Sequence, residues 1–145
     1  NAYIIRTAWV YSVFGKNFVK TMLNLGRQKD QLNVVVDQVG TPTCARDLAN
    51  TILVVIKNIE EGNDVPGIYH YTNEGVTSWY DFAVAIFELA SIDCKVNAIP
   101  SSAYSTPAKR PVFSVLDKSK IKQTFKLDIP HWRVSLSRTL KELIS

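Results

Sequence analysis

A strand that runs into a glycine turn and then a helix constrains this chain more than any other feature of its sequence. Residues Tyr3 to Tyr11 form a largely apolar run, and Gly15-Lys16-Asn17-Phe18 follows four residues later. The run is apolar enough to be covered on both faces, as in a parallel sheet. Asn17 suits the N-cap of a helix whose apolar face is Phe18, Met22 and Leu25, with Gly26 as its stop. Open α/β sheets bind ligands where the carboxyl ends of strands feed such loops. This strand end carries Trp9, Tyr11, Lys16 and Asn17, so the stretch reads as one wall of a ligand pocket.

The same alternation continues downstream. Leu32 to Val36 is a Val-rich strand, and Gln38 to Thr43 is a loop with Thr43 placed to cap the next helix. That helix, Cys44 to about Glu60, carries an apolar stripe of Leu48, Ile52, Val55, Ile56 and Ile59. Ile68 to Thr72 is a third strand, closed by an Asn73-Glu74-Gly75 turn. Ser78 and Asp81 form a shortened capping box for a helix with Trp79, Phe82, Ala83, Ile86, Phe87 and Ala90 on its buried side. Val96 to Ile99 is a short edge strand, and Pro100 to Pro111 is irregular. Asp117 to Phe125 is a short helix, and Trp132, Leu136, Leu140, Leu143 and Ile144 mark a final amphipathic one. The fold class is α/β, a small sheet packed with helices.

Charge narrows the ligand. The 145 residues carry a formal net charge of +4, with Lys and Arg dispersed rather than clustered. That argues against a nucleic-acid footprint and suits an anionic small molecule such as a phosphate ester, although a solvated basic surface accounts for the excess too. Cys44 and Cys94 lack Cys-x-x-Cys or Cys/His spacing, so they read as small core residues of a reducing compartment, not metal ligands. No apolar run approaches the roughly 20 residues that span a bilayer, and no leader is visible. The expectation is a soluble cytoplasmic protein with no membrane partner. A chain that enters an apolar strand within three residues of Asn1 also reads as the back part of a longer protein.

Four residues are the candidate binding side chains. Trp9 can stack on a sugar or base, and core packing competes with that role. Lys16 and Asn17 stand at a helix start, where free N–H groups favour anions, although Asn17 is also explained as a cap. Arg110, after Lys109 and between prolines, offers a planar fork suited to diphosphate oxygens. His70 and His131 have no partner at metal or triad spacing, and no carboxylate pair stands out as an acid–base couple. Two signatures are missing: a Gly-x-x-Gly-x-x-Gly dinucleotide fingerprint and a Tyr-x-x-x-Lys proton-transfer pair.

Arg6-Thr7-Ala8-Trp9-Val10-Tyr11, Gly15-Lys16-Asn17-Phe18-Val19-Lys20-Thr21-Met22-Leu23 and Asp37-Gln38-Val39-Gly40-Thr41-Pro42-Thr43 occur in that order. Gly67-Ile68-Tyr69-His70, Thr77-Ser78-Trp79-Tyr80-Asp81-Phe82-Ala83 and Thr106-Pro107-Ala108-Lys109-Arg110-Pro111 follow. Together they resemble the dTDP-4-dehydrorhamnose reductase family of extended short-chain dehydrogenases, nearly end to end. The resemblance implies a Rossmann-like fold and places residues 1–145 as a sugar-nucleotide binding domain, with the dinucleotide-binding domain upstream. It implies NADPH or NADH as cofactor of the full-length protein, with the catalytic Tyr and Lys in that other half. The implied substrate is a dTDP-linked 4-keto-6-deoxyhexose, and this part alone is expected to be inactive.

Within the resemblance Trp9 matches the family's sugar-contacting Trp, whereas Asn17, Lys16 and Arg110 rest on their own chemistry. Some family members dimerise through Mg²⁺ held by glutamates, one of them at the position of Arg46. A cation does not ligate Mg²⁺, so that route to a metal-linked dimer is not expected, although a homodimer is compatible with the sequence. Two rivals remain at this point: another extended sugar-nucleotide epimerase or dehydratase, and a non-catalytic regulatory relative.

Overall fold

A computed structural model describes residues 2–105 and 110–144 of the chain. Its first strand is shorter than the apolar run. Strand β1 (Tyr3–Arg6) stops before Trp9, and β2 (Val10–Tyr11) resumes after it. Trp9 has φ +50°, a left-handed conformation that no strand can carry through. The chain therefore changes partners at this point.

Helix α1 (Phe18–Gly26) is capped by Asn17, whose Oδ1 accepts from the Lys20 N–H at 3.1 Å. Gly26 does not stop α1 through a left-handed turn. It is buried where a Cβ would stand 2.6 Å from the Phe87 ring, so its bareness serves close packing. Strand β3 (Gln31–Val35) follows, then the two-residue strands β4 (Val39–Gly40) and β5 (Thr43–Cys44). Helix α2 (Ala45–Glu60) leads to β6 (Gly67–His70) and β7 (Thr77–Ser78). Helix α3 (Trp79–Ala90), β8 (Lys95–Ile99), α4 (Ser119–Phe125) and α5 (Trp132–Ile144) complete the order.

Among the described residues the strands pair as four two-stranded ladders, not as one continuous sheet. β1 with β6, β2 with β5, and β3 with β8 are parallel, while β4 with β7 is antiparallel. The capping box at α3 forms as expected, with Asp81 N donating to Ser78 Oγ at 3.0 Å. Thr43 does not cap α2. Its hydroxyl donates to Ala8 O at 2.7 Å, and Cys44 takes the N-cap position without a side-chain bond.

Two cores result. The larger gathers Tyr11, Val19, Phe82, Ile86, Trp132 and Leu136 around α3. The smaller joins Val55, Tyr69, Tyr71, Ile121 and Phe125 between α2, β6 and α4. The expected stripe on α2 holds in part: Val55 is buried and Leu48 and Ile59 pack against the smaller core. Ile52 and Ile56 are exposed, and the buried face is Asp47, Thr51 and Val55. Asp47 can face inward because Asn73 Nδ2 donates to it at 2.8 Å and the Ser135 hydroxyl also donates to it. Arg138 adds an ion pair at 3.3 Å. Both cysteines are buried and free.

Candidate functional site

The kink at Trp9 is fixed from both sides of its peptide. Thr43 N donates to Trp9 O at 3.0 Å, next to the Thr43 hydroxyl bond to Ala8 O. The Trp9 ring then lies flat on Trp79, with centroids 3.6 Å apart and planes 9° apart. The β4–β7 ladder explains why they meet. It pairs Val39 with Ser78 and Gly40 with Thr77, which sets the first residue of α3 beside the glycine. A Cβ on Gly40 would stand 2.7 Å from Trp9 Cε2, so only glycine leaves room for the indole.

These rings border a cavity of about 900 Å³, within the size range of small-molecule sites. Phe18 and Phe82 extend its aromatic lining, and Asn33, Gln38, Ser102 and Arg110 contribute polar groups. The polar lining is held by the strand ends. Asp37, just after β3, accepts from Ser101 N at 2.8 Å and from the Ser101 hydroxyl at 2.9 Å, fixing the short 3-10 turn Ser101–Ala103. Val39 N donates to Val112 O and Ser114 N donates to Val39 O, both at 2.8 Å, which brings exposed Arg110 to the cavity.

Trp9 and Arg110 thus share one cavity. Asn17 and Lys16 are not part of its lining. The Asn17 amide is committed to its helix cap and to Ser12 O, to which it donates at 2.7 Å. Lys16 is exposed on the same turn. Tyr11 also lines the cavity but is only 2% exposed, tilted against Phe82 at 5.7 Å. Burial pushes its phenol far above the ordinary tyrosine range, so it stays neutral. Lys109 lies outside the described residues. His70 Nδ1 stands 3.2 Å from Asp117 O, and His131 packs on Trp132, so both have structural surroundings. Trp79, Asn33 and Ser102 were not singled out as site residues by the sequence. Trp79 carries a buried-helix signal, and only the β4–β7 pairing turns it toward Trp9.

A second cavity, of about 320 Å³, lies between α2 and α5. Its two arginines are engaged. Arg46 makes a two-pronged pair with Glu142, and Arg138 pairs with Asp47. Residue 46 therefore offers a bound cation, not an anionic oxygen. Among the described residues no three of His, Cys, Asp or Glu gather as a metal site, and no helix is long and apolar enough to cross a membrane.

Known proteins share this architecture. The RmlD substrate binding domain family matches residues 1–145. The dTDP-4-dehydrorhamnose reductase of Escherichia coli K12 is 43% identical over 148 residues, covering 98% of this chain and 50% of the relative. The spore coat polysaccharide biosynthesis protein SpsK of Bacillus subtilis is 40% identical, over 96% of this chain and 47% of its own. Among solved structures, a dTDP-4-dehydrorhamnose reductase from Clostridium acetobutylicum superposes with a TM-score of 0.87 at 47% identity, over 99% of this chain and 49% of that one. The Bacillus anthracis reductase in complex with NADP gives a TM-score of 0.89 at 34% identity, over 97% and 48%. The chain spans about half the length of the curated relatives it matches.

Proposed function

The chain belongs to the RmlD substrate binding domain family, and from that premise we propose that it forms the sugar-nucleotide half of a dTDP-4-dehydrorhamnose reductase. The observation that carries this reading is the shared cavity of Trp9 and Arg110. An indole face suits the apolar C–H surface of a 6-deoxyhexose, and a guanidinium suits the diphosphate that links it to the nucleoside. Dispersed positive charge elsewhere adds a mild attraction for a dianionic ligand.

The full-length protein would reduce the 4-keto group of dTDP-4-dehydro-L-rhamnose with hydride from NADPH or NADH. The residues in hand do not fit that cofactor. One first-turn N–H of each of α1 and α3, from Lys20 and from Asp81, is taken by the cap, Asn17 or Ser78, and no glycine fingerprint precedes either helix. A separate dinucleotide-binding domain would hold it. Two outward faces support a division of that kind. Ile4 and Ile68 sit opposite each other in the β1–β6 ladder and are 50% and 45% exposed. Parallel strands are normally covered on both faces. Helix α2 adds Ile52, Leu53 and Ile56 to the exposed apolar surface.

Calorimetric titration of dTDP-L-rhamnose against the chain tests the reading. Trp9→Ala and Arg110→Gln should each weaken binding by about tenfold, the scale of one lost ring contact or one lost charge-assisted pair. Wild-type affinity in both variants would overturn it. Incubated with NADPH and the keto sugar, this chain alone should give no turnover.

A further inference from the structure

Trp79 has no role in the reading above, yet it touches the residue on which that reading depends. Its ring lies nearly parallel to Trp9, stacked at 3.6 Å, so one face of Trp9 is already taken. Trp79 is itself braced. Phe18 leans on it at 4.7 Å, Phe18 stacks on Phe82 at 5.5 Å, and Phe82 meets Trp132 edge-on at 5.7 Å. Phe82 and Trp132 are buried, so the series of rings ties Trp9 to the larger core. Gly40 closes the space beside the indole, where even a methyl group would collide. A half-buried ring lining a 900 Å³ cavity would otherwise sample several rotamers.

We propose that Trp79, together with the bare backbone of Gly40, is a positioning device that fixes the plane of Trp9 so that a single indole face meets the sugar. The inference rests on Trp9 being the sugar platform. A platform ordered before binding loses no side-chain freedom when ligand arrives, so its contact enters the affinity undiminished. A Trp79 that merely filled the core would affect stability and leave ligand preference alone.

The ratio of affinities for dTDP-L-rhamnose and dTDP isolates what the sugar contributes, and calorimetry on the chain measures both. Near-ultraviolet circular dichroism reports the Trp9–Trp79 stack directly. In Trp79→Leu the ratio should fall by about three- to tenfold, the value of one aromatic stack, with dTDP affinity unchanged and the dichroic signature lost. Trp79→Phe keeps a ring and should restore most of the ratio. Gly40→Ala pushes on the indole with Trp79 intact, and should lower the ratio as well. A wild-type ratio in folded Trp79→Leu overturns the proposal. Should that variant fail to fold, a wild-type ratio in Gly40→Ala overturns it instead. Trp9→Ala separates the two readings. If it leaves the ratio unchanged, Trp9 is not the sugar platform, and the positioning role falls with that platform while Arg110→Gln still tests the sugar-nucleotide reading. If it abolishes a ratio that Trp79→Leu preserves, only the positioning role fails.

Discussion

Helices α2 and α3 both read as apolar, yet α2 buries polar residues beside apolar ones where α3 buries apolar ones alone. Helix α3 turns Phe82, Ala83, Ala85, Ile86 and Phe87 inward and lies at the centre of the larger core. Helix α2 turns Asp47, Thr51 and Val55 inward and leaves Ile52, Leu53, Val54 and Ile56 exposed. The difference teaches that an apolar stripe does not define the whole buried face. A polar face can point inward when every polar group on it finds a partner. Around Asp47 those partners come from the turn after β6 and from α5, segments that no local pattern on α2 reveals.

The comparison can be broken most forcefully at Phe82. It touches Tyr11, Phe18 and Trp132 and is 1% exposed. Phe82→Ala should cost about 4 kcal/mol in urea unfolding. A loss below about 1 kcal/mol would mean that α3 is not the central element.

Next comes the polar side. Asp47→Ala removes the acceptor shared by Asn73, Ser135 and Arg138, and should cost about 3 kcal/mol by leaving buried donors unpaired. A neutral outcome would show that α2 is held by Val55 and its apolar neighbours alone.

A smaller effect is expected from Glu74, which stands between Lys118 and Lys122 at 3.3 and 2.7 Å. Partial burial pushes its carboxyl up, but the Lys122 hydrogen bond and the two ammonium charges outweigh that, and the net displacement is downward. Its stabilisation is therefore fully present above the ordinary Glu range and lost as pH falls through the lowered value. Thermal melting of wild type against Glu74→Gln should show a gap near neutral pH that closes as the pH falls below the ordinary Glu range. A gap that widened in acid would reverse the assignment.

The smallest effect belongs to the outward face of α2. Leu53 is 64% exposed, and Leu53→Gln should shift the stability of this chain by no more than about 0.5 kcal/mol. A large loss would place Leu53 against a neighbour and collapse the contrast between the two helices.

Much of this was legible in the residues. Asn17 and Ser78 announce their helices because a cap is a local bond between neighbours in sequence. The α/β class follows from alternating patterns, and Trp9 and Arg110 stand out by chemistry and placement. What was not legible is long-range. Thr43 looks like a cap, but its hydroxyl goes to Ala8, 35 positions away. Gly26 looks like a helix stop, but the Phe87 ring needs its space. Trp79 looks like core until the β4–β7 pairing brings it to Trp9. Each miss is a tertiary contact overriding a sound local signal.

The left-handed backbone at Trp9 carries one more consequence. A bulky residue held at φ +50° forgoes about 1–2 kcal/mol that glycine would keep. Selection for folding alone would favour glycine at position 9, and an indole there is a departure from the most stable choice. Thermostabilisation by backbone-guided substitution would name this position early. It would remove the ring along with the strain, so if Trp9 is the proposed sugar platform, position 9 is where stability and ligand recognition trade against each other.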